Sequence, residues 1–315
     1  MKKRCLYCYS ELSADEKDYH NKCSRRFFGS NLPPEIDFIE EDLESRGINL
    51  LEIRKTVTGV QTKLSLKRQN SGNKSVPGRL TITGLSGGFI LKPSSAKFPE
   101  IAELEDLTMC LADESGIKTV PHSIIRMKSG NLAYITKRID RSNNNKKIHM
   151  EDMCQLTERL TEHKYHGSYE QIAKVIRKFT DRELDIINFA EVVIFSYLTG
   201  NSDMHLKNFS LIRNDEGNHS LAPAYDLLPT RLLLKTDEED LALTLNGKKK
   251  KIVLKDFYEF ANTIGIVKKV FDNILRIFSK QLNIWQETIN IGFISDPMKN
   301  DYIRYINSNM KRLFG

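Results

Sequence analysis

The hydrophobic period of this chain changes once, near Arg141, and that change narrows the folds open to it. Between Val57 and Ile139, apolar residues alternate in short runs bounded by Gly, Ser, Asn and Pro, the pattern of strands joined by tight turns. Beyond Arg141 they recur three or four residues apart, the pattern of helices with one buried face. The expected class is α+β, with a β-rich lobe over 50–141 and a helical lobe over 142–315. A small module over 1–30 stands before both, set off by Pro33-Pro34, which no helix interior accommodates.

Within the first lobe, Gly59–Leu66 reads as a turn entering an alternating strand, and Ser71–Lys74 as a further turn. Arg79–Thr83 and Gly88–Lys92 are strand candidates. Pro99 suits the first turn of a helix whose Ile101, Leu104, Thr108 and Leu111 share a face and which Gly116 ends. Val120–Met127 and Leu132–Ile139 flank Lys128–Asn131, a hairpin signal. Ile36–Arg46 predicts a short acidic helix closed by Gly47. In the second lobe, Met150–Thr161, Tyr169–Phe179 and Arg182–Leu198 predict helices, the last leading into Thr199-Gly200-Asn201-Ser202-Asp203. A β segment, Asn208–Arg213, turns and returns towards Tyr225-Asp226, and the tail from Leu254 is helical by period. This order suggests a nucleotide cleft between two lobes.

Composition removes some classes and leaves others. No apolar run reaches the roughly 18 residues of a membrane span, since Asn188 and Glu191 interrupt the longest candidate, Ile186–Leu198. The basic start Met1–Cys5 lacks the apolar stretch of a secretory signal, so a cytoplasmic chain without membrane partners is expected. A net charge of +7 fits nucleic acid, an anionic nucleotide or acidic partner, or merely a basic surface. The basic residues are dispersed apart from Lys248–Lys251 and are not interleaved with aromatics, which favours the latter two. An odd number of cysteines, five, argues against a disulfide framework. Four residues in two close pairs, Cys5 with Cys8 and His20 with Cys23, match a tetrahedral structural Zn²⁺ site. The plainer alternative is two buried cysteines and a surface histidine. A finger that reads DNA is disfavoured, because no basic recognition helix follows.

Asp203-Met204-His205-Leu206-Lys207-Asn208 sets an acid five residues before an amide, at a helix-to-strand transition. Phosphoryl transfer asks for such a pair, a carboxylate to take the acceptor's proton and oxygen ligands for Mg²⁺. Taken alone, Asp-x4-Asn reads first as a turn signature, because both residues favour turns. The hairpin that follows, Asp226 beyond it, and the lobe order shift the reading towards chemistry. Phe89-Ile90-Leu91-Lys92 presents a lysine at the end of an apolar strand, where it needs a partner. Glu103 and Glu105 are both within reach, and Glu105 is the expected one; a lysine that snorkels is the alternative. Thr56–Lys63 is the candidate phosphate loop, with Gly59, Val60, Gln61 and Lys63, although it fits no general glycine-rich motif. His205 and Lys207 are candidate γ-phosphate contacts, or else simply packed or solvated.

Gly59-Val60-Gln61-x-Lys63-Leu64-Ser65, Ile90-Leu91-Lys92-Pro93, Glu105–Met109, Lys137–Arg141, Glu151-Asp152-x-Cys154-Gln155, Asn201-Ser202-Asp203-x-His205-x-Lys207-Asn208-Phe209-Ser210 and Pro223-x-Tyr225-Asp226 occur in that order. In this set the chain resembles the HipA-type serine/threonine kinases, the toxins of bacterial toxin–antitoxin systems. The resemblance implies a two-lobed protein-kinase-like fold that uses ATP and Mg²⁺. It implies Asp203 as catalytic base, Asn208 and Asp226 as Mg²⁺ ligands, Lys92 on the ATP phosphates, and Lys137–Ile139 at the hinge. It further implies phosphorylation of a serine in an aminoacyl-tRNA synthetase, autophosphorylation in the phosphate loop, a small antitoxin as partner, and DNA contact only through that antitoxin. Two departures stand out. The longer family members carry an additional N-terminal subdomain of about one hundred residues, so this chain resembles the short, HipT-like form in which a separate small protein supplies it. The loop's usual serines are replaced by Thr56 and Thr58, the expected autophosphorylation sites. A small-molecule kinase would use the same residues, whereas an idle corepressor would have no need of them.

Overall fold

The computed structural model describes residues 3–40, 62–69, 71, 76–83, 86–142, 146–236 and 238–315. The chain forms two compact units, Met1–Asp106 with Val120–Lys147, and Leu107–Thr119 with Ile148–Gly315.

The first unit is built on a six-stranded sheet of β1 (Glu35–Ile36), β2 (Leu64–Gln69), β3 (Arg79–Ile82), β4 (Phe89–Pro93), β5 (His122–Arg126) and β6 (Leu132–Lys137). Their spatial order is β1-β3-β2-β4-β6-β5, antiparallel except for the β1–β3 pair. On β2 the alternation expected of a half-buried strand holds, with Leu64 and Leu66 inward and Lys67 outward. β4 is a central strand between β2 and β6, and Leu91 and Lys92, which point to opposite faces of the sheet, are both buried. The β5–β6 turn is closed by Met127 N–H donating to Asn131 O at 2.8 Å.

Helix α1 (Asn21–Phe28) ends at Gly29, whose φ of 78° is the left-handed cap that glycine adopts without strain. Its last two residues carry its apolar weight. Phe27 and Phe28 meet edge-on at 4.7 Å and lie 6.0 and 6.1 Å from Phe89. Burying each stabilises the segment by roughly 2–3 kcal/mol, enough to fasten so short a stretch to the sheet. Helix α2 (Ile101–Glu114) begins in this unit and continues into the second.

The second unit holds a small sheet, β7 (Met150–Asp152), β8 (Ser210–Arg213) and β9 (His219–Leu221), in that order. Around it are α3 (Met153–Leu156), α4 (Tyr169–Phe179), α5 (Glu183–Thr199), α6 (Thr230–Leu233), α7 (Leu254–Thr263), α8 (Lys268–Phe278), α9 (Leu282–Ile291) and α10 (Asp296–Phe314). α4 opens with a capping box, Ser168 and Gln171 satisfying each other's backbone N–H groups. α5 is buried on nearly every side, as its almost continuous apolar sequence requires. Its last carbonyls are met by Asn309 of α10, whose Nδ2 donates to Tyr197 O at 2.8 Å. The second half of α2 is held by Thr108 with Tyr302 (3.0 Å) and by Trp285 donating to Ser115 (3.1 Å).

Two predicted helices differ from the fold. Ile36 pairs with Leu80 in β1 instead of opening a helix, and residues 41–46 of that expectation lie outside the described residues. Met150–Thr161 is not one helix, because Met150–Asp152 pairs with β8 and Asp152 then caps the single turn α3. That turn cannot extend past Glu158, which has a φ of 55°. Among the described residues no helix is long and apolar enough to cross a membrane.

Candidate active site

In the second unit, α5 stops at Gly200, with φ 78°, and a Cβ placed there would come 2.5 Å from the Tyr305 ring. Both facts demand glycine at this point. The chain then turns sharply: Asn201 Oδ1 accepts from Asp203 N–H at 3.2 Å, and Asp203 O accepts from His205 N–H at 2.8 Å. Asn208, at the end of a 3-10 turn (Leu206–Asn208), donates through Nδ2 to Asp203 O at 2.9 Å. The five-residue spacing is therefore the span of one closed loop. With the amide nitrogen given to Asp203 O, the acceptor left on this side chain is its oxygen, the donor type a hard cation prefers.

The Tyr165 hydroxyl donates to Asp203 Oδ1 and fixes the carboxylate's orientation, and the Tyr165 ring lies edge-on to His205 at 5.0 Å. Lys207 is paired with Asp152 Oδ2 at 2.7 Å, which ties the loop to the cap of α3. On the return of the hairpin, the Tyr225 hydroxyl donates to Lys207 O at 3.0 Å and shares a 2.6 Å bond with Ser210 Oγ. Desolvation pushes the Tyr225 phenol well above its usual range, so it stays protonated as that donor. The next residue, Asp226, has a left-handed φ of 57°, uncommon outside glycine but tolerated by Asp. Ser202 completes the clasp, its N–H and Oγ meeting Thr230 Oγ1 at 3.0 and 2.9 Å. Asp203, Asn208 and Asp226 thus stand on loops tied to one another. Asn208 and Asp226 together offer an amide and a carboxylate oxygen, the donor types that suit Mg²⁺.

In the first unit, Lys92 and Glu105 are 4% and 1% exposed and form a buried ion pair through Glu105 Oε1. Lys92 Nζ also lies 5.2 Å from the centre of the Tyr134 ring, directly across from it on β6. Glu103 turns to Ser94 Oγ at 3.4 Å instead, and burial raises its carboxyl to about 7. Lys137 closes β6 with its ammonium 5.4 Å from the Phe27 ring, and burial lowers its pKa; Ile139 follows, half-buried. Lys63 enters β2. Thr56, Thr58, Gly59, Val60 and Gln61 lie outside the described residues. Near the N-terminus the ligand atoms of Cys5, Cys8, His20 and Cys23 all fall within 4.8 Å of one another.

Tyr165 and Thr230 carried no signal in the sequence pattern, and Asp152 stood in a motif without an assigned role. Their partners are 28 to 55 residues away along the chain, beyond the reach of any local period.

A sheet-based unit with a buried lysine–glutamate pair, joined in sequence to a helical unit with an Asp-x4-Asn loop, defines a kinase-like fold. Solved structures agree. The fold matches HipA in the toxin–antitoxin complex of Shewanella oneidensis MR-1 HipA, HipB and operator DNA with a TM-score of 0.70, at 20% identity, over 88% of this chain and 71% of that one. It matches the Helicobacter pylori proinflammatory kinase CtkA with a TM-score of 0.54, at 13% identity, over 79% and 93%. The chain belongs to the HipA-like family: the family model of the HipA-like C-terminal domain matches residues 56–285. It is similar to a protein of Haemophilus influenzae named "Putative kinase", 29% identical over 242 residues, covering 68% of each chain. It is also similar to "Putative kinase Y4dM" of Sinorhizobium fredii, 33% identical over 242 residues, covering 72% of this chain and 56% of that protein.

Proposed function

We propose that this chain is an ATP-dependent serine/threonine protein kinase that acts as the toxin of a toxin–antitoxin pair. The observation that carries the reading is the closed Asp203–Asn208 loop, with its carboxylate oriented by Tyr165 and its amide nitrogen held on Asp203 O. In the proposed reaction a substrate hydroxyl oxygen forms a bond to the γ-phosphorus of ATP. The bond from that phosphorus to the β–γ bridging oxygen breaks, ADP departs, and the hydroxyl proton passes to Asp203. Asn208 and Asp226 would hold Mg²⁺, which supplies charge neutralisation on the phosphates. Lys92, kept extended by Glu105, is assigned to the α- and β-phosphates, with His205 and Lys63 as further phosphate contacts and Lys137–Ile139 beside the adenine.

The protein substrate is proposed to be an aminoacyl-tRNA synthetase, modified on a serine, and Thr56 or Thr58 is the proposed autophosphorylation site. A small antitoxin is the proposed partner and the only route to DNA. The family resemblance supports these finer assignments.

Phosphoproteomics after expression of wild type and Asp203→Ala tests the reading. One dominant phosphoprotein present with wild type is expected, and removal of the base lowers transfer by about 100-fold or more. A labelled metabolite with no labelled protein would overturn the protein-kinase assignment. Equal phosphorylation by the variant would overturn Asp203 as base.

A further inference from the structure

Cys5, Cys8, His20 and Cys23 lie in the unit that carries Lys92, on two short elements that face each other. Cys5 and Cys8 sit in a tight knuckle, closed by Tyr9 N–H donating to Cys5 O and Cys5 N–H donating to Ser10 O, each at 2.9 Å. Tyr9 leaves the knuckle with a left-handed φ of 61°. His20 and Cys23 sit at the opening of α1. His20 Nε2 faces the carbonyl of Glu11 at 3.0 Å. A carbonyl only accepts, so Nε2 is the nitrogen that carries the proton there, and Nδ1 is the one free to ligate in the neutral ring. Nδ1 is 3.4 Å from Cys8 Sγ and 3.7 Å from Cys23 Sγ. Ligands on a tetrahedral ion with bonds of about 2.1–2.3 Å stand about 3.4–3.8 Å apart. A ring N–H held by a backbone carbonyl is also how metal-bound histidines are oriented. His20 therefore stands at ligating separation from two thiols, all four ligand atoms lie within 4.8 Å of one another, and none of the cysteines forms a disulfide.

The residues beside these ligands reach into the sheet and into α2. Leu6, next to Cys5, accepts through its carbonyl from Ser123 Oγ at 3.0 Å. Tyr19, next to His20, donates to Ile124 O on β5. Tyr9, next to Cys8, donates to Asp106 Oδ2 at 2.9 Å in a buried bond. Asp106 uses its other oxygen on His122 Nδ1 at 2.7 Å. Asp106 directly follows Glu105, the acid that receives Lys92. A rigid knuckle thus has a short path of hydrogen bonds to the helix that positions the buried ion pair.

We propose that Cys5, Cys8, His20 and Cys23 bind one zinc-class divalent ion, and that the metal-closed knuckle braces α2 through the Tyr9–Asp106 bond. The metal is a remote positioning element for Glu105 and takes no part in chemistry. The proposal concerns metal content and helix order, and it stands or falls independently of the transfer reaction.

The test uses the full chain purified without chelator. Elemental analysis is expected to find about one zinc per chain. After exchange with cobalt, the spectrum is expected to show thiolate-to-metal charge transfer and tetrahedral ligand-field bands. Tyr9→Phe should keep its metal, yet its Ile101–Asp106 amides should exchange hydrogen about tenfold faster, as expected for the loss of one buried hydrogen bond. Cys8→Ser should lose the metal and show the same faster exchange. Should that variant not fold, stripping wild type with a chelator gives the metal-free arm. Less than about 0.2 zinc per natively folded chain, or a disulfide among the three cysteines, overturns the site. Full metal content with unchanged exchange in Tyr9→Phe overturns the brace.

Discussion

At the scale of single residues, a buried acid and a half-buried one behave in opposite ways. Glu105 is paired with Lys92, so removing either one leaves the other buried without its counter-ion, whereas replacing both with apolar residues removes both charges. Lys92→Met is expected to lower stability by about 3–5 kcal/mol in urea unfolding, and Lys92→Met with Glu105→Leu to recover most of that loss. Glu191 of α5 has no such compensation, and burial alone raises its carboxyl to about 7. Its folded pKa exceeds the model-peptide value of about 4.3, so the native state binds the proton more tightly than the unfolded state does. Stability is therefore full at low pH and falls as pH rises from about 4.5 to about 7. Glu191→Gln should raise stability at pH 8 by about 2 kcal/mol, after allowance for its partial exposure, and change little at pH 4; denaturation at both pH values checks this.

Among elements, the loop between α5 and β8 depends on a glycine and a clasp. Gly200→Ala meets both a positive φ and the Tyr305 ring, and is expected to cost about 2 kcal/mol or more in thermal unfolding. Thr230→Val removes only the Ser202 contacts, so it should cost about 1 kcal/mol and reduce transfer more than it reduces stability. Elements with a sustained period were readable from sequence: the helix Tyr169–Phe179 has the bounds expected of it. The three-residue strand β7 was not, since so short a segment has no period to read, and its identity depends on β8 lying alongside. The same reasoning covers the site. Asp203 and Asn208 share one loop, so their spacing is legible in sequence, although the motifs around them are what separate it from an ordinary turn. Tyr165, Asp152 and Thr230 are recruited from distant segments, and only the folded chain brings them in. Both glutamates lie within sequence reach of Lys92, and only the folded chain separates them, with Glu105 on Lys92 and Glu103 on Ser94.

For the molecule as a whole, the net charge of +7 is less telling than its pairing. In its densest basic run, Lys248, Lys249 and Lys250 meet Asp256, Glu239 and Glu238 at 2.7, 3.5 and 3.0 Å. A stripe neutralised in this way offers little to a phosphate backbone. The chain alone is expected to bind duplex DNA no tighter than the non-specific range of about 10⁻⁴–10⁻⁶ M, as fluorescence anisotropy at two salt concentrations would read.

The membership of α2 in both units has a practical sequel. Residues 101–106 belong with the sheet, 107–119 with the helical unit, and 120–147 with the sheet again. No single cut in the chain therefore yields an intact half. A fragment ending at residue 147 would carry Leu107, Leu111 and Ala112, all fully buried, without the segments that cover them. A fragment starting at 148 would lack those same side chains. Exchange of halves between relatives would have to move a discontinuous block with three junctions, at 106/107, 119/120 and 147/148. The chain is thus modular in space but not in sequence, and proteolysis at one loop would leave two incomplete pieces.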